Sequence, residues 1–226
     1  TGPLNMMVQA ANRFSDDHVT IALPLERKDE LGQLARSLND MQAQIKTHLS
    51  ELYESKRDVD HLARHDALTG LANRLMFHDR LEHAIANSQR SGKKVALIYI
   101  DLDGFKEIND SGGHALGDKV LTAVSAQLKK SVREIDTVAR LGGDEFIILI
   151  GAIDNPDQVG LIAQKLLEGF RVPMNIDGRS LPVGISIGIS VFPRDGANAT
   201  ELLDKADLAM YRSKKQGGNT YHFYSA

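Results

Sequence analysis

The hydrophobic pattern divides residues 66–226 into short apolar runs and longer stretches with helical periodicity. Residues 95–100 form a continuous apolar run, which is typical of a strand covered on both faces. Two further runs, 137–139 and 147–150, flank a segment with a Gly-Gly pair and therefore predict a β-hairpin. The whole pattern predicts strands near 95–101, 137–141, 145–150, 182–191 and 220–224, and helices near 75–91, 116–134, 156–170 and 199–216.

Two arrangements of these elements are considered. Simple alternation of strands with helices would predict a doubly wound parallel sheet. The hairpin at Gly142 and Gly143 supplies a central antiparallel pair, which favours an α/β ferredoxin-like fold instead.

The first 65 residues have a helical pattern of a different kind. Apolar residues between positions 4 and 14 predict a short helix, with Pro3 near its start, and residues 19–24 predict an extended connector. A long helix is predicted to begin near Asp29. Its apolar positions alternate in steps of three and four: Leu31, Leu34, Leu38, Met41, Ile45, His48, Leu52, Ser55, Val59 and Leu62.

This seam predicts a parallel dimeric coiled coil. Eight of its ten residues are apolar, and the chain offers no second helix of similar length to cover them. Polar seam residues such as His48 and Ser55 commonly set the register of a coiled coil at a cost in stability. For His48, a tolerated mismatch and a pH-sensing role are equally compatible with the sequence.

Composition narrows the function classes. The chain has 226 residues, 42% of them apolar, which is enough for one full domain and a smaller appendage. A net charge of −3 and a pI of about 6.2 argue against a large nucleic-acid footprint. The absence of cysteine excludes disulfides and thiolate metal sites. No apolar stretch in the sequence approaches the ~20 residues that span a bilayer.

The segment 140–146 carries the first candidate chemistry. Gly142 and Gly143 can hold positive φ, and they let a phosphate lie against bare backbone amides. Asp144 and Glu145 follow directly, although side-by-side negative charge would bring an ordinary hairpin no benefit. Taken alone, the segment is better interpreted as a solvated acidic turn.

A second acidic segment follows the apolar run at 95–100. Asp101, Leu102 and Asp103 precede Gly104 and a predicted helix start, a pattern suited to a hard divalent cation bound together with phosphates. Residues 109–118 then form a predicted polar loop that opens onto an amphipathic helix.

Two residues of that loop can each have two roles. Asn109 is either a turn residue or a reader of a guanine edge. Asp118 is either a cap near the start of the helix or a second guanine-reading group.

Six motifs, in fixed order, carry a resemblance to a known family. They lie at residues 66–74, 101–106, 109–118, 142–146, 186–188 and 206–211, within a region that covers about 66–224. The region resembles a GGDEF-type diguanylate cyclase. Residues 3–4, 29–32 and 38–41 resemble the end-piece of a HAMP signalling module. The domains implied are a HAMP module at 1–48, a signalling coiled-coil helix at 49–65 and a GGDEF domain at 66–226.

The resemblance implies a fold related to the palm of polymerases and a specific cellular setting. A HAMP module follows a transmembrane helix and relays motion from an external sensor. The implied parent protein is therefore a receptor anchored by a transmembrane segment before Thr1. Its output would face the cytoplasm at the bacterial inner membrane.

The implied reaction joins two GTP molecules into cyclic di-GMP and releases two pyrophosphates at a homodimer interface. Asp101, Asp144 and the Leu102 carbonyl are the implied ligands of Mg²⁺ or Mn²⁺, with two ions per active half-site. Glu145 is the implied group that orients or deprotonates the 3′-hydroxyl, although a metal-bound hydroxide would need no protein base.

The resemblance also implies a binding set for GTP. Lys106, the amides around Phe105, and Lys214 would hold the outer phosphates. Asn109 and Asp118 would read guanine, with His114 in the same substrate-binding set. Gly142 and Gly143 would let the α-phosphate and ribose approach closely.

One position departs from the family pattern. Gly218 stands where the family typically has an arginine, after Lys214 and before Asn219. The change removes an expected phosphate contact that Lys215 or Arg212 could replace. Weaker GTP binding is therefore expected, with activity retained.

The spacing of Arg133 and Asp136 from Gly142 resembles the family's product-inhibition site for cyclic di-GMP. The ordinary alternative is a helical ion pair worth a few tenths of a kcal/mol. Two other functions remain open: a cyclic di-GMP or GTP receptor with weak catalysis, and a signalling relay whose partner performs the chemistry.

Overall fold

The computed structural model describes residues 2, 5, 8, 25, 26 and 28–225, with main chain alone at 54, 57, 58, 60 and 61. Contacts divide the chain into two compact units, Thr1–His61 and Leu62–Ala226. Apart from residues 5 and 8, the short helix and the connector predicted before residue 25 lie outside the described residues.

Helices and strands are numbered here along the chain. The helices are α1 (Glu30–Arg64), α2 (Arg74–Ser91), α3 (Phe105–Gly112), α4 (His114–Ser131), α5 (Asp157–Phe170) and α6 (Ala199–Lys215). The strands are β1 (Lys94–Asp103), β2 (Thr137–Gly142), β3 (Glu145–Ile153), β4 (Met174–Ile176), β5 (Arg179–Leu181), β6 (Gly184–Phe192) and β7 (Tyr221–Phe223).

In the first unit, α1 confirms the predicted long helix. Asp29 Oδ1 accepts a hydrogen bond from Gly32 N at 3.1 Å, which caps the first turn. Much of the predicted seam is exposed: Leu34, Met41, Ile45, Leu52 and Val59 are all at least 38% accessible. An apolar stripe of this length on one helix requires a covering surface.

The second unit is built on a five-stranded sheet of order β2-β3-β1-β6-β7. Neighbouring strands are antiparallel except for the parallel pair β6–β7. Because β1 lies between β3 and β6, it is buried along nearly its whole length. The antiparallel α/β arrangement predicted from the sequence is confirmed. Within it, β1 occupies the centre of the sheet and the β2–β3 hairpin one end, a correction to the central hairpin expected.

Helices cover both faces of this sheet. One core contains Val120 of α4, Val159 of α5 and the even-numbered residues of β1. The other contains Phe77 of α2, Leu202 of α6 and the odd-numbered residues Val95, Leu97 and Tyr99 of β1. The two-residue side-chain period of a strand explains the division. Odd-numbered residues further along β1 therefore face α2 and α6.

The structure corrects the predicted polar loop at 109–118. Residues 105–112 form the helix α3, and α4 begins directly afterwards at His114. Gly113 is the N-cap of α4 and makes no side-chain cap hydrogen bond, so the suggested capping role of Asp118 is wrong. The chain folds here as a helical hairpin, in which polar residues lie on the exposed sides of α3 and of the first turns of α4.

Two further elements differ from the sequence prediction. The short β4–β5 hairpin was not predicted, because each strand has only three residues. In the β2–β3 hairpin, Gly142 still pairs with Glu145, so the connecting turn consists of Gly143 and Asp144 rather than of the two glycines. Gly143 has φ +50°, which explains why glycine is needed in this turn.

Candidate active site

The end of β1 brings the acidic residues of two motifs together. Asp101 pairs with Glu145 on β3 and with Ser186 on β6. The cross-strand pair places both carboxylates on the face that α6 covers, and Asp144 precedes Glu145 in the turn. Two segments more than 40 residues apart in sequence thus form one acidic cluster of Asp101, Asp144 and Glu145.

This cluster carries unfavourable electrostatics. Asp101 is only 7% exposed. The pKa of Asp101 is raised to about 6: burial raises it most, the Lys214 ammonium lowers it, and the negative charges of Asp144 and Glu145 raise it. The ammonium of Lys214 forms an ion pair with Asp101 Oδ1. That buried oxygen has no well-oriented hydrogen-bond donor within residues 28–225. The Lys214 ammonium therefore offsets the negative charge of this oxygen without forming a well-aligned hydrogen bond to it.

The donors of the cluster fit a hard divalent cation. Asp101 and Asp144 provide carboxylate oxygens and Leu102 a main-chain carbonyl, which are the ligand types preferred by Mg²⁺. The buried Asp101 carboxylate, which already holds the Lys214 ammonium beside two further carboxylates, is the observation that supports this fit. Among the described residues, no group of three His, Cys, Asp or Glu side chains could hold a metal ion. Mg²⁺ usually completes its coordination with substrate phosphates and water.

Tyr99 belongs to the same site and was missed in the sequence. It lies two residues before Asp101 on β1 and is 7% exposed. Burial raises the pKa of Tyr99, as do the charges of Glu145 and Asp207, and its hydroxyl donates a hydrogen bond to Glu145. The position of Tyr99, two residues before Asp101, was the available sequence signal. Because side chains alternate along a strand, it places the Tyr99 hydroxyl on the same face as the Asp101 carboxylate.

The α3–α4 hairpin positions the predicted guanine readers. A Cβ at Gly117 would lie 2.0 Å from Asn109 Oδ1 and 3.2 Å from Phe105, so the two helices touch at this glycine. Asp118 is the next residue, and it is exposed. The hairpin thus places the Asn109 amide beside the turn of α4 that carries Asp118. Lys106 and His114 are both exposed on the same hairpin.

Arg140 holds the main chain of the turn at Gly143 and Asp144 in place. Its Nε and Nη2 donate to the Gly143 carbonyl at 3.0 and 2.7 Å, and its Nη1 donates to both carboxylate oxygens of Asp66 at 3.1 Å. Burial alone would raise the pKa of Asp66, but hydrogen bonds from Thr69 and the charge of Arg140 lower it overall. The sequence motifs that contain Asp66 and Arg140 did not predict a role for either residue. The structure shows that they brace the turn that carries Asp144.

Lys214 and its neighbours lie at the end of α6. The helix is held to β6 because Ser213 Oγ donates to the Ile187 carbonyl at 2.7 Å. Both cations suggested as replacements for the missing arginine have other partners. The Lys215 ammonium lies 4.7 Å from the centroid of the Tyr211 ring, and Arg212 donates to Ser225 Oγ at 2.8 Å.

Arg133 and Asp136 lie at the opposite end of β2 from the acidic turn, roughly 20 Å away at ~3.3 Å per strand residue. They are in a turn between α4 and β2, so the helical ion pair considered from the sequence does not form. Arg133 N donates to Asp136 Oδ2 at 3.0 Å instead. Burial raises the pKa of Asp136, against the opposing effects of this hydrogen bond and the Arg133 charge.

A cavity of about 570 Å³ adjoins this turn. Its lining includes the cationic side chains of Arg80, Lys129, Lys130 and Arg133, together with Glu134 and Asp136. The excess of cations suits an anionic ligand.

Comparisons with known proteins agree with these features. The model of the family described as "Diguanylate cyclase, GGDEF domain" matches residues 63–220, and that of the HAMP domain matches residues 1–47. The chain is 41% identical over 186 residues to the bifunctional diguanylate cyclase/cyclic di-GMP phosphodiesterase MucR of Pseudomonas aeruginosa, covering 82% of this chain and 27% of that protein.

Two further relatives cover more of the chain. It is 33% identical over 217 residues to the diguanylate cyclase TpbB of Pseudomonas aeruginosa, which is 95% of this chain and 50% of TpbB. The chain thus spans half or less of the length of MucR and of TpbB. The structure of the coiled coil and GGDEF domain of DgcB from Caulobacter crescentus, solved with c-di-GMP, matches with a TM-score of 0.72 at 27% identity, covering 84% of this chain and all of that one.

The electrostatics of Asp101 generate a stability prediction. Since its folded pKa of about 6 exceeds the reference value of 3.8, ionised Asp101 destabilises the metal-free fold above pH 6, and the penalty disappears as the pH falls toward 4. We expect metal-free Asp101→Asn to be more stable than the unchanged chain at pH 7.5, by at most about 3 kcal/mol. The difference should vanish near pH 4. Urea unfolding in EDTA at both pH values measures it.

The control for this prediction is Asp154→Asn, which removes an exposed carboxylate whose partner is Lys93. It should not stabilise the fold at either pH. A metal-free Asp101→Asn protein that is clearly less stable at pH 7.5 would contradict the prediction, because it would mean that ionised Asp101 stabilises the fold through Lys214.

Proposed function

Because the chain belongs to the diguanylate cyclase GGDEF domain family, we propose that it condenses two GTP molecules into cyclic di-GMP and two pyrophosphates. The observation that carries the proposal is the acidic cluster at the end of β1, where Asp101 pairs with Glu145 next to the Asp144 turn. A buried carboxylate with a raised pKa and an incompletely satisfied oxygen is suited to bind a cation and phosphates.

Each half-site of the proposed enzyme binds one GTP. The Asp118 carboxylate accepts hydrogen bonds from guanine N1–H and the exocyclic amine, and the Asn109 amide contacts the same guanine edge. The carboxylate favours guanine because adenine N1 carries no hydrogen. Lys106, the amides near Phe105, and Lys214 hold the outer phosphates. Gly142 and Gly143, both exposed and without side chains, leave room for the α-phosphate and ribose.

The reaction forms a bond between a 3′-oxygen and the α-phosphorus of the other nucleotide, and it breaks the bond from that phosphorus to the β-phosphate oxygen. Glu145 is positioned at the start of β3 to orient the 3′-hydroxyl and accept its proton, and the Tyr99 hydroxyl holds Glu145 by a hydrogen bond. Asp101, Asp144 and the Leu102 carbonyl would hold two Mg²⁺ or Mn²⁺ ions per half-site. Those ions supply electrostatic stabilisation of the phosphate charge.

Ring closure requires two half-sites that face each other, and so a homodimer. The exposed apolar seam of α1 supports a parallel coiled coil as the dimerisation element. We propose that residues 1–48 relay a signal as a HAMP module, that 49–65 transmit it as a coiled coil, and that 66–226 are catalytic. No helix among the described residues is long and apolar enough to cross a membrane. Anchoring at the inner membrane through a preceding segment is part of the proposal.

Product inhibition is proposed for the basic cavity beside Arg133 and Asp136, where cyclic di-GMP is the anionic ligand. The same cavity favours a second candidate function, that of a cyclic di-GMP receptor with weak catalysis. Chromatography of nucleotides after incubation with GTP and Mg²⁺ distinguishes the two functions. A receptor would bind cyclic di-GMP and produce none.

Loss of the turn carboxylate tests catalysis. Asp144→Ala should lower cyclic di-GMP synthesis by at least about a hundredfold. The substitution removes a proposed metal ligand, so the negative charge of the phosphates in the transition state is less well stabilised. Asp154→Ala removes a carboxylate at the other end of β3 and should retain activity. Near-normal turnover of Asp144→Ala, with circular dichroism showing an intact fold, would remove the metal-binding role from this residue.

Substitutions at the second site test feedback. Arg133→Ala and Asp136→Ala should weaken cyclic di-GMP binding at least tenfold and prolong linear product formation, while the initial rate stays within about twofold. The site lies at the far end of β2, so the acidic cluster is undisturbed. Arg179→Ala, an exposed arginine on β5, is the control. Unchanged calorimetric affinity in both variants would make Arg133 and Asp136 ordinary turn residues.

Seam substitutions test the dimer requirement. Leu52 and Val59 are 65% and 60% exposed, so Leu52→Glu with Val59→Glu should not unfold the monomer. Specific activity should fall at low protein concentration and recover at high concentration, because tethering by a coiled coil raises the effective concentration of half-sites to roughly millimolar. Ala43→Glu with Ser50→Glu adds equal charge at exposed positions outside the seam. Full activity of the seam variant as a dilute monomer would end the dimer proposal.

A further inference from the structure

The second aspartate of the 101–103 segment has contacts of its own. Asp103 is the last residue of β1, opposite Gly184 on β6. Its Oδ1 accepts a hydrogen bond from Ser186 Oγ at 2.7 Å, and its Oδ2 accepts one from Asn219 N at 2.8 Å. Both carboxylate oxygens are therefore engaged by protein donors, in contrast to the poorly satisfied Oδ1 of Asp101.

The turn after α6 packs directly on this carboxylate. Gly217, Gly218 and Asn219 all have left-handed φ values, of +106°, +72° and +49°. A Cβ at Gly218 would lie 2.7 Å from Asp103 Oδ2 and 3.0 Å from Oδ1. A side chain at 218 would thus meet the carboxylate as well as an unfavourable backbone conformation. This contact explains glycine where the family typically has arginine.

The same turn ends the helix that carries Lys214. Gly217 N donates to the Lys214 carbonyl at 3.1 Å, and Gly218 N donates to the Ser213 carbonyl at 3.1 Å. The Lys214 ammonium in turn pairs with Asp101. Asp103 is therefore linked, through the main-chain hydrogen bonds of this turn, to Lys214, whose ammonium pairs with Asp101 on β1.

We propose that Asp103 is a positioning residue that holds the turn 217–219 and so fixes Lys214 for binding the triphosphate, and that it is not a metal ligand. A lysine on a flexible stem contributes to phosphate binding only when the main chain that carries it is held in place. The carboxylate provides that hold with charge-assisted hydrogen bonds, which are the strong kind. The identity of the ligand as GTP rests on the proposed function.

The test is a double-mutant cycle on the full chain with Asp103→Ala, Lys214→Ala and the double variant. The probe is GTP with a methylene bridge between the α- and β-phosphates, which cannot be cleaved, titrated by calorimetry in Mg²⁺. Each single variant should raise Kd about tenfold, and the double variant should match Lys214→Ala because Asp103 acts through Lys214. With GTP, KM should rise by a similar factor while kcat changes less. Asp103→Asn keeps one acceptor and should be intermediate.

Three results would overturn the proposal. Additive losses in the double variant would mean that Asp103 acts independently, for example as a metal ligand. A lower melting temperature with unchanged Kd would mean a structural role alone. An unchanged chain that binds the analogue but forms no cyclic di-GMP would contradict the proposed function while leaving the cycle readable. A chain that does not bind the analogue would overturn both.

A glycine comparison tests the contact without any ligand. Gly217 and Gly218 both have positive φ, but a Cβ at Gly217 would meet nothing within 4 Å. Gly218→Ala should therefore lower the melting temperature more than Gly217→Ala does, and the difference should disappear in the Asp103→Ala background. Equal effects of the two substitutions in the unchanged chain would contradict the contact. For the same reason, Gly218→Arg should weaken analogue binding rather than restore an arginine contact.

Discussion

The site depends on holding three carboxylates together at the end of a buried strand. Asp101 is placed there by pairing with β3 and β6, and only 7% of it is exposed to solvent. Mutual repulsion with Asp144 and Glu145 would separate the strand ends if the sheet were weaker. The long apolar ladder of β1 supplies the cohesion, because nearly every residue along it is buried between two layers of helices. The fold stabilises an arrangement that is locally unfavourable, as is common at functional sites.

Cations around the cluster divide into two kinds. The Arg140 side chain is largely buried, pairs with Asp66 and donates to the Gly143 carbonyl in the turn. An arginine with so little solvent exposure and with all three guanidinium nitrogens hydrogen-bonded braces the main chain and is not available to a substrate. Lys214 has 36% of its side chain exposed, and in the proposed function it would exchange Asp101 for a phosphate. One cation thus determines where the turn lies, and the other responds to what binds there.

The sequence predicted what depends on local pattern and failed where distant segments meet. The strands near 95–101 and 145–150 were confirmed because apolar runs and turn residues are local signals, and the carboxylates at their ends followed. The helix start after Gly104 was predicted, but the extent of α3 through Gly112 was missed because its residues are mostly polar and it is only 8 residues long. The contact of Asp103 with Asn219 crosses 116 positions, and that of Arg140 with Asp66 crosses 74. No periodicity encodes which distant partner a charged residue will find.

The two aspartates at 101 and 103 show how one strand end separates binding from support. Both point to the same face, since they are two positions apart. Asp101 has an oxygen without a well-oriented donor and neighbours of its own charge, so it gains from an added cation. Asp103 has a donor on each oxygen and a glycine turn packed against it, so an added cation would have to displace hydrogen bonds already made. The local sequence pattern does not distinguish the two, and only the family resemblance singles out Asp101 as a ligand. Their difference arises from β6 and the turn after α6, and it follows that a metal introduced here would select Asp101.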